Sequence, residues 1–164
     1  MEGEAFFLTL AQIGLGLAGV TTLVAILREG NQKLVPQDIF GMKTILEICF
    51  MDVFLSLIPF VIAHVLNPSI LWKVASTVLL LAVSAYSLVT THRVQQMKTQ
   101  GFPPRSSWIV NGCLWTSVLC AILQLINIFY YNSLGIYSLG LLWLLTIPII
   151  QFLFFLSLLQ PRTE

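Results

Sequence analysis

Charge is what this chain has least of. Only 9% of its 164 residues are Asp, Glu, Lys or Arg, where a soluble domain carries about 25%, and the formal net charge is +1. So even a balance supplies no basic field for nucleic acid and no acidic tail, and no nucleic-acid partner is expected. Cysteine is equally sparse. Cys49, Cys113 and Cys120 fall inside apolar runs with no metal-ligand spacing and no even-numbered framework, so they read as small buried hydrophobes. His64 and His92 stand at opposite boundaries of predicted spans, neither with a second ligand at metal spacing. There is no Ser/His/Asp arrangement, no glycine-rich phosphate loop, no H-E-x-x-H and no CxxC. The expectation is a protein that is not an enzyme, with no catalytic residue, no metal site and no cofactor.

What the chain has instead is hydrocarbon. Hydrophobic residues make up 57% and the mean hydropathy is +0.91. A soluble fold of this length could not hide that much apolar surface, so the lipid bilayer is the expected solvent. Five runs approach the ~20 residues that cross a bilayer as helix. They predict a single transmembrane domain over 1–164, all-α, a polytopic bundle with helices at approximately 5–28, 38–66, 69–98, 106–131 and 133–160. Polar or helix-breaking punctuation separates them: Val-Pro-Gln-Asp before the second, Asn-Pro-Ser before the third, Gly-Phe-Pro-Pro before the fourth and Asn-Ser before the fifth. Pro36 to Asp38 resembles a helix start, after which Ile39 to Lys43 could lie along the interface before the second span.

Cation placement predicts the orientation. Arg28, Lys33, Lys43, Arg93, Lys98, Arg105 and Arg162 share one side and Lys73 stands alone on the other, which puts the N-terminus outside and the C-terminus in the cytoplasm. Glu2 and Glu4 precede the first run where a signal peptide would be basic, and Arg28-Glu29 replaces a small-residue cleavage site. The first helix is therefore expected to stay as an anchor.

Polar chemistry enters the membrane at a few positions. On the first helix Ala11, Gly14, Ala18, Thr21, Ala25 and Arg28 recur at spacings of three and four, a face on which another helix can approach closely. Gly16 and Gly19 point elsewhere and predict packing against a second neighbour. The second helix repeats the spacing at Ile45, Cys49, Asp52, Ser56, Pro59 and Ala63, and Pro59 leaves the Leu55 carbonyl without its helical partner. Glu47 lies about 140° around that helix from Asp52 and nearer the cytoplasmic boundary. There it is expected to form a salt bridge with Arg28 and Lys43. Asp52 is deeper, where an ionised carboxylate without a partner costs several kcal/mol. Two readings stay open for it: a structural hydrogen bond to neighbouring helices, or a station on an ion or proton path with Ser56, Thr21, Gln124 and Asn127.

Lys73, Thr77, Ser84, Ser87 and Thr91 predict a polar face on the third helix, and Cys113, Ser117, Cys120, Gln124, Asn127 and Tyr131 one on the fourth. Pro148 predicts a kink in the fifth helix, with Gln151 a turn later. Trp72, Trp108, Tyr130, Tyr131 and Tyr137 lie near span boundaries, as interface anchors do.

The first hairpin, AQIGLGLAGVTTLVAIL, then a polar loop with an aspartate, Leu46-Glu47 and a Phe-rich run to Pro59, resembles a group of small bacterial integral membrane proteins of uncharacterised activity that begin A-[EQ]-x-x-x-G-[LF]-A-G. Such starts often carry glutamate where this chain has Gln12. The resemblance covers the first 60 or so residues and implies a bacterial inner-membrane location. Glycine faces on helix one outnumber the neighbours that a single bundle supplies, which predicts a homo-oligomer. Two functions from different classes follow: an oligomeric channel or transport protein for cations or protons, or a non-conducting accessory or scaffold subunit bound to a membrane-protein partner.

Overall fold

The computed structural model describes residues 3–29, 35–65, 67–104 and 107–157, with the side chains of residues 28, 29, 68, 69 and 109 outside that set. Its elements are α1 (Glu4–Glu29), α2 (Pro36–Ala63), α3 (Pro68–Thr99), α4 (Ser107–Ile126), which runs on into a π-helical turn at Asn127–Tyr131, and α5 (Leu134–Ser157). All five helices are long and apolar enough to cross a membrane, and no strand occurs among the described residues. The chain is an all-α integral membrane protein.

Local chemistry sets the helix ends. Pro36 and Pro68 occupy the first turns of α2 and α3, where a missing N–H costs nothing. The helix expected from about residue 38 begins at Pro36, takes in Ile39 to Lys43 and runs on to Ala63, with Pro59 inside it. α3 ends at Gly101, whose φ of 81° suits glycine; Gly101 N–H bonds the Lys98 carbonyl and Phe102 N–H the Met97 carbonyl, closing the last turn. With 32 residues α3 is about 48 Å long, more than the ~30 Å hydrocarbon core, so its polar last turns project beyond the lipid.

Helices α2, α3, α4 and α5 surround a common interior, while α1 lies outside, touching α2 and α5. At the end away from Lys43, Arg93 and Lys98, the interior is filled tightly. Phe7, Trp72 and Tyr137 form a triangle with ring centroids 5.9 to 6.1 Å apart, and Phe60 meets Phe7 edge-on at 6.2 Å. Tyr137 is fully buried and Trp72 partly so. Both were expected at the interface, and the cluster removes them from it. Trp108, Tyr130 and Tyr131 remain exposed on the outside.

Gly140 lets α5 approach α3 and α4. A β-carbon there would run into the Gln124 amide and stand 2.9 Å from Leu79 Cδ2. Around Gly16 and Gly19, in contrast, nothing lies within 4 Å. Their predicted neighbour is absent among the described residues, because α1 sits at the edge of the bundle and these glycines face outward. Ala11, Gly14 and Ala18 are buried and Ala25 is half-buried.

Gly140→Ala is expected to destabilise the detergent-solubilised protein by about 1–3 kcal/mol through overpacking, whereas Gly112→Ala, in open space, should be neutral or slightly stabilising. Thermal unfolding of both variants checks the contrast.

Candidate functional site

The site is built on the seam between α1 and α2. A β-carbon at position 14 would lie 3.1 Å from Val53 Cγ2, 3.3 Å from the Cys49 carbonyl oxygen and 3.7 Å from Asp52 Oδ2, so glycine is what allows the two backbones to close over the carboxylate. One turn on, Ala18 packs with Ile45 and Cys49, and Phe152 of α5 covers the same cluster. Asp52 has 0% exposure, and neither of its oxygens has a hydrogen-bond partner among the described residues. Ser56 follows one turn along the same face of α2, also at 0%, its hydroxyl equally without a partner. Cys49 and Tyr137 are ionisable neighbours of the carboxylate.

Thr21 belongs to the same buried stripe of α1 but lies seven residues from Gly14, about 10 Å along the axis. Its hydroxyl donates to the Leu17 carbonyl at 2.8 Å, which leaves its oxygen free only as an acceptor. Asp52, Ser56 and Thr21 therefore share one seam, with Thr21 well separated from the other two.

Gln124 and Asn127 do not join them. They sit on α4, which touches neither α1 nor α2. Asn127 Nδ2 donates to Ser76 Oγ at 2.8 Å and to the Ser133 carbonyl at 3.0 Å, and its Oδ1 accepts from Ser133 N–H at 2.8 Å. Gln124 Nε2 donates to the Ile136 carbonyl at 3.2 Å. Asn127 closes the α4–α5 turn and binds it to α3, while Gln124 ties α4 to α5 through Nε2 and keeps its buried Oε1 without a partner among the described residues; both lie apart from the α1–α2 seam. The π-turn also rotates Tyr131 outward from the face it was expected to share with Asn127.

Tyr137 adds a contact that the spacing of α2 alone does not show. Its hydroxyl donates to the Leu55 carbonyl, the group released by Pro59. The freed carbonyl was the signal; its partner was hidden because Tyr137 lies only three residues past the start of α5.

At the basic end, Glu47 accepts from Arg93 Nη1 at 2.6 Å and lies 3.9 Å from Lys43 Nζ. Lys43 was expected there; Arg93 was not. The side chain of Arg28, the other expected partner, lies outside the described residues. Side chains lean toward the N-terminus of their helix. Glu47 thus reaches toward the basic end and Arg93 back from it, and the two meet although their backbones stand at different depths. Of the polar face expected on α3, Lys73, Thr77 and Ser84 are exposed. Ser76, one residue off that face, is the buried hydroxyl.

No group of three or more His, Cys, Asp or Glu that could hold a metal ion occurs among the described residues. Compared with protein-family models, curated proteins and solved structures, the chain has no match in any of the three.

Glu47→Gln should lower the melting temperature, and the exchange Glu47→Arg with Arg93→Glu should recover part of the loss. The expected coupling is about 1 kcal/mol, modest because both groups are partly solvated. Tyr137→Phe, which strands the Leu55 carbonyl, should cost about 1–3 kcal/mol in the same assay.

Proposed function

We propose that the protein is a small transport protein or channel for protons or cations, acting as a homo-oligomer in a bacterial inner membrane. Its N-terminus is outside, its C-terminus cytoplasmic, and Asp52 is the group that the ion visits. The observation that carries this is the Asp52 carboxylate itself, fully buried beside Ser56, with no hydrogen-bond donor from the described residues on either oxygen. A purely structural acid in lipid is held by donors, since leaving it ionised and unpaired costs several kcal/mol. An acid kept without them is suited to exchanging its counter-charge, taking up a proton or small cation and releasing it.

The seam supplies the means. α1 is the peripheral helix, and small residues hold it against α2. A slight parting of the two helices would bring water to Asp52, with Ser56 as a second ligand or proton relay and Thr21 as an acceptor toward the basic end. Gly16 and Gly19, open on the outer face of α1, are where a second copy could support that movement. The role is one of passage, with no acid–base pair at one depth for catalysis.

The alternative is a non-conducting accessory or scaffold subunit. It is favoured by the use of the Asn127 amide and of Gln124 Nε2 as structural ties between helices.

Flux in proteoliposomes separates the two. With equal yields of folded protein, wild type should dissipate an imposed proton or cation gradient and Asp52→Asn should slow it about tenfold or more, equivalent to roughly 1.4 kcal/mol on the barrier. Absence of flux in the wild type, or equal flux in Asp52→Asn, would sink the transport reading.

A further inference from the structure

The α1–α2 seam is closed more tightly than a metal ion allows. Its uncommitted oxygens are Asp52 Oδ1 and Oδ2 and Ser56 Oγ, all buried without a partner among the described residues. The carbonyls beside them are engaged: that of Leu55 accepts from Tyr137, and that of Cys49, which faces Gly14, is taken up in the helical ladder of α2. Thr21 stands too far along α1 to join them.

A metal cation that leaves water must have its hydration shell replaced by protein oxygens, about six of them for the hard ions. Half that number is present. Nor does the seam have the width for waters to supply the rest, since a β-carbon at position 14 would already lie 3.7 Å from Asp52 Oδ2, which sets the α1 backbone directly over the carboxylate. A proton asks for one lone pair and no added room.

The charges around the site agree. The titratable groups that face Asp52 are Cys49 on α2 and Tyr137 on α5, and neither supplies a cation. α1 presents Ala11, Gly14 and Ala18 to the seam. On α3, Lys73 is exposed, the Tyr86 hydroxyl lies 3.5 Å from the Thr44 carbonyl, and Arg93 is drawn to Glu47, the other carboxylate of α2. α4 does not touch α2. An ionised Asp52 thus meets no counter-charge among the described residues, at a cost of several kcal/mol in lipid, whereas the neutral acid fits the closed seam as it stands.

We infer that the proton is the one ion Asp52 exchanges, and that sodium, potassium and divalent cations find no site in the seam. On release the O–H bond of the acid breaks, its electron pair stays on Asp52, and the proton passes to a water molecule admitted between α1 and α2, directly or by way of Ser56 Oγ. The inference rests on Asp52 being the station read above, and narrows what passes there from protons or cations to protons.

The test is modification of the full chain in liposomes by dicyclohexylcarbodiimide, an apolar reagent that couples to carboxyl groups in their protonated form, with the adduct assigned by peptide mass spectrometry. An adduct is expected on Asp52, its rate falling about tenfold per pH unit on the alkaline side, the slope of a single proton. At fixed pH and ionic strength, replacing choline with sodium, potassium or magnesium should leave that rate unchanged. In proteoliposomes a pH gradient should collapse while a sodium or potassium gradient persists. Slower labelling in any of the metal salts, or a metal-ion flux that Asp52→Asn removes, would overturn proton selectivity and leave transport at Asp52 standing. Flux of no ion at all would instead remove the transport reading, and this inference with it, whatever the labelling shows. Should no adduct form, the infrared C=O stretch of a protonated carboxyl, expected in the wild type and missing from Asp52→Asn, reads the same proton; its absence from the folded wild type also overturns the inference.

Discussion

Inside a bilayer every backbone carbonyl must find its donor within the protein, and the arrangement of this bundle turns on one carbonyl that its own helix cannot satisfy. Pro59 has no N–H to offer Leu55, and Tyr137 supplies the missing donor from α5. For a phenol to reach a backbone oxygen in the interior, α5 must lie directly against α2 at that height. The ring so placed becomes the floor on which Phe7, Trp72 and, through Phe7, Phe60 stack. One hydrogen bond thereby links four of the five helices. It also explains why a tyrosine near the start of a span is buried when its position in the chain points to the interface.

The class of the protein and the number of its spans are legible in the sequence because long apolar runs have no other use and Pro, Gly and Asn punctuate them. Which helix faces meet is much less legible. In water an apolar stripe marks the inside of a helix, but in lipid apolar residues suit both sides, and polar spacing takes over as the guide. That guide fails for hydroxyls. Thr77 donates to the Lys73 carbonyl of its own helix at 2.8 Å, so it rests on the lipid side with its donor satisfied. Ser76, next to it, is drawn inward by Asn127. Amides and carboxylates cannot satisfy themselves in this way. The buried positions of Gln124, Asn127 and Asp52 accordingly follow from their residue types, although their partners do not. The Arg93 contact with Glu47 was hidden for a further reason, that side-chain lean offsets the tip of a long residue from its backbone depth.

Asn127 and Asp52 make an instructive pair because both are fully buried and polar. Asn127 spends its donor and its acceptor on neighbours that are fixed by the turn after α4, so it is rigid by construction. Asp52 lies against the Gly14 position of α1, with Cys49 and Tyr137 as ionisable neighbours, and no described residue donates to its oxygens. The difference lies in where each sits. Asn127 stands at a junction of three elements, whereas Asp52 faces a helix packed against only one side of the bundle.

That asymmetry extends to the whole molecule. The end with the aromatic cluster, the Asn127 network and the close approach at Gly140 is tightly packed, and movement there would break several contacts together. The basic end is held by the Glu47–Arg93 pair, which is partly solvated. Any opening of the bundle must therefore pivot about the packed end and act at the basic end.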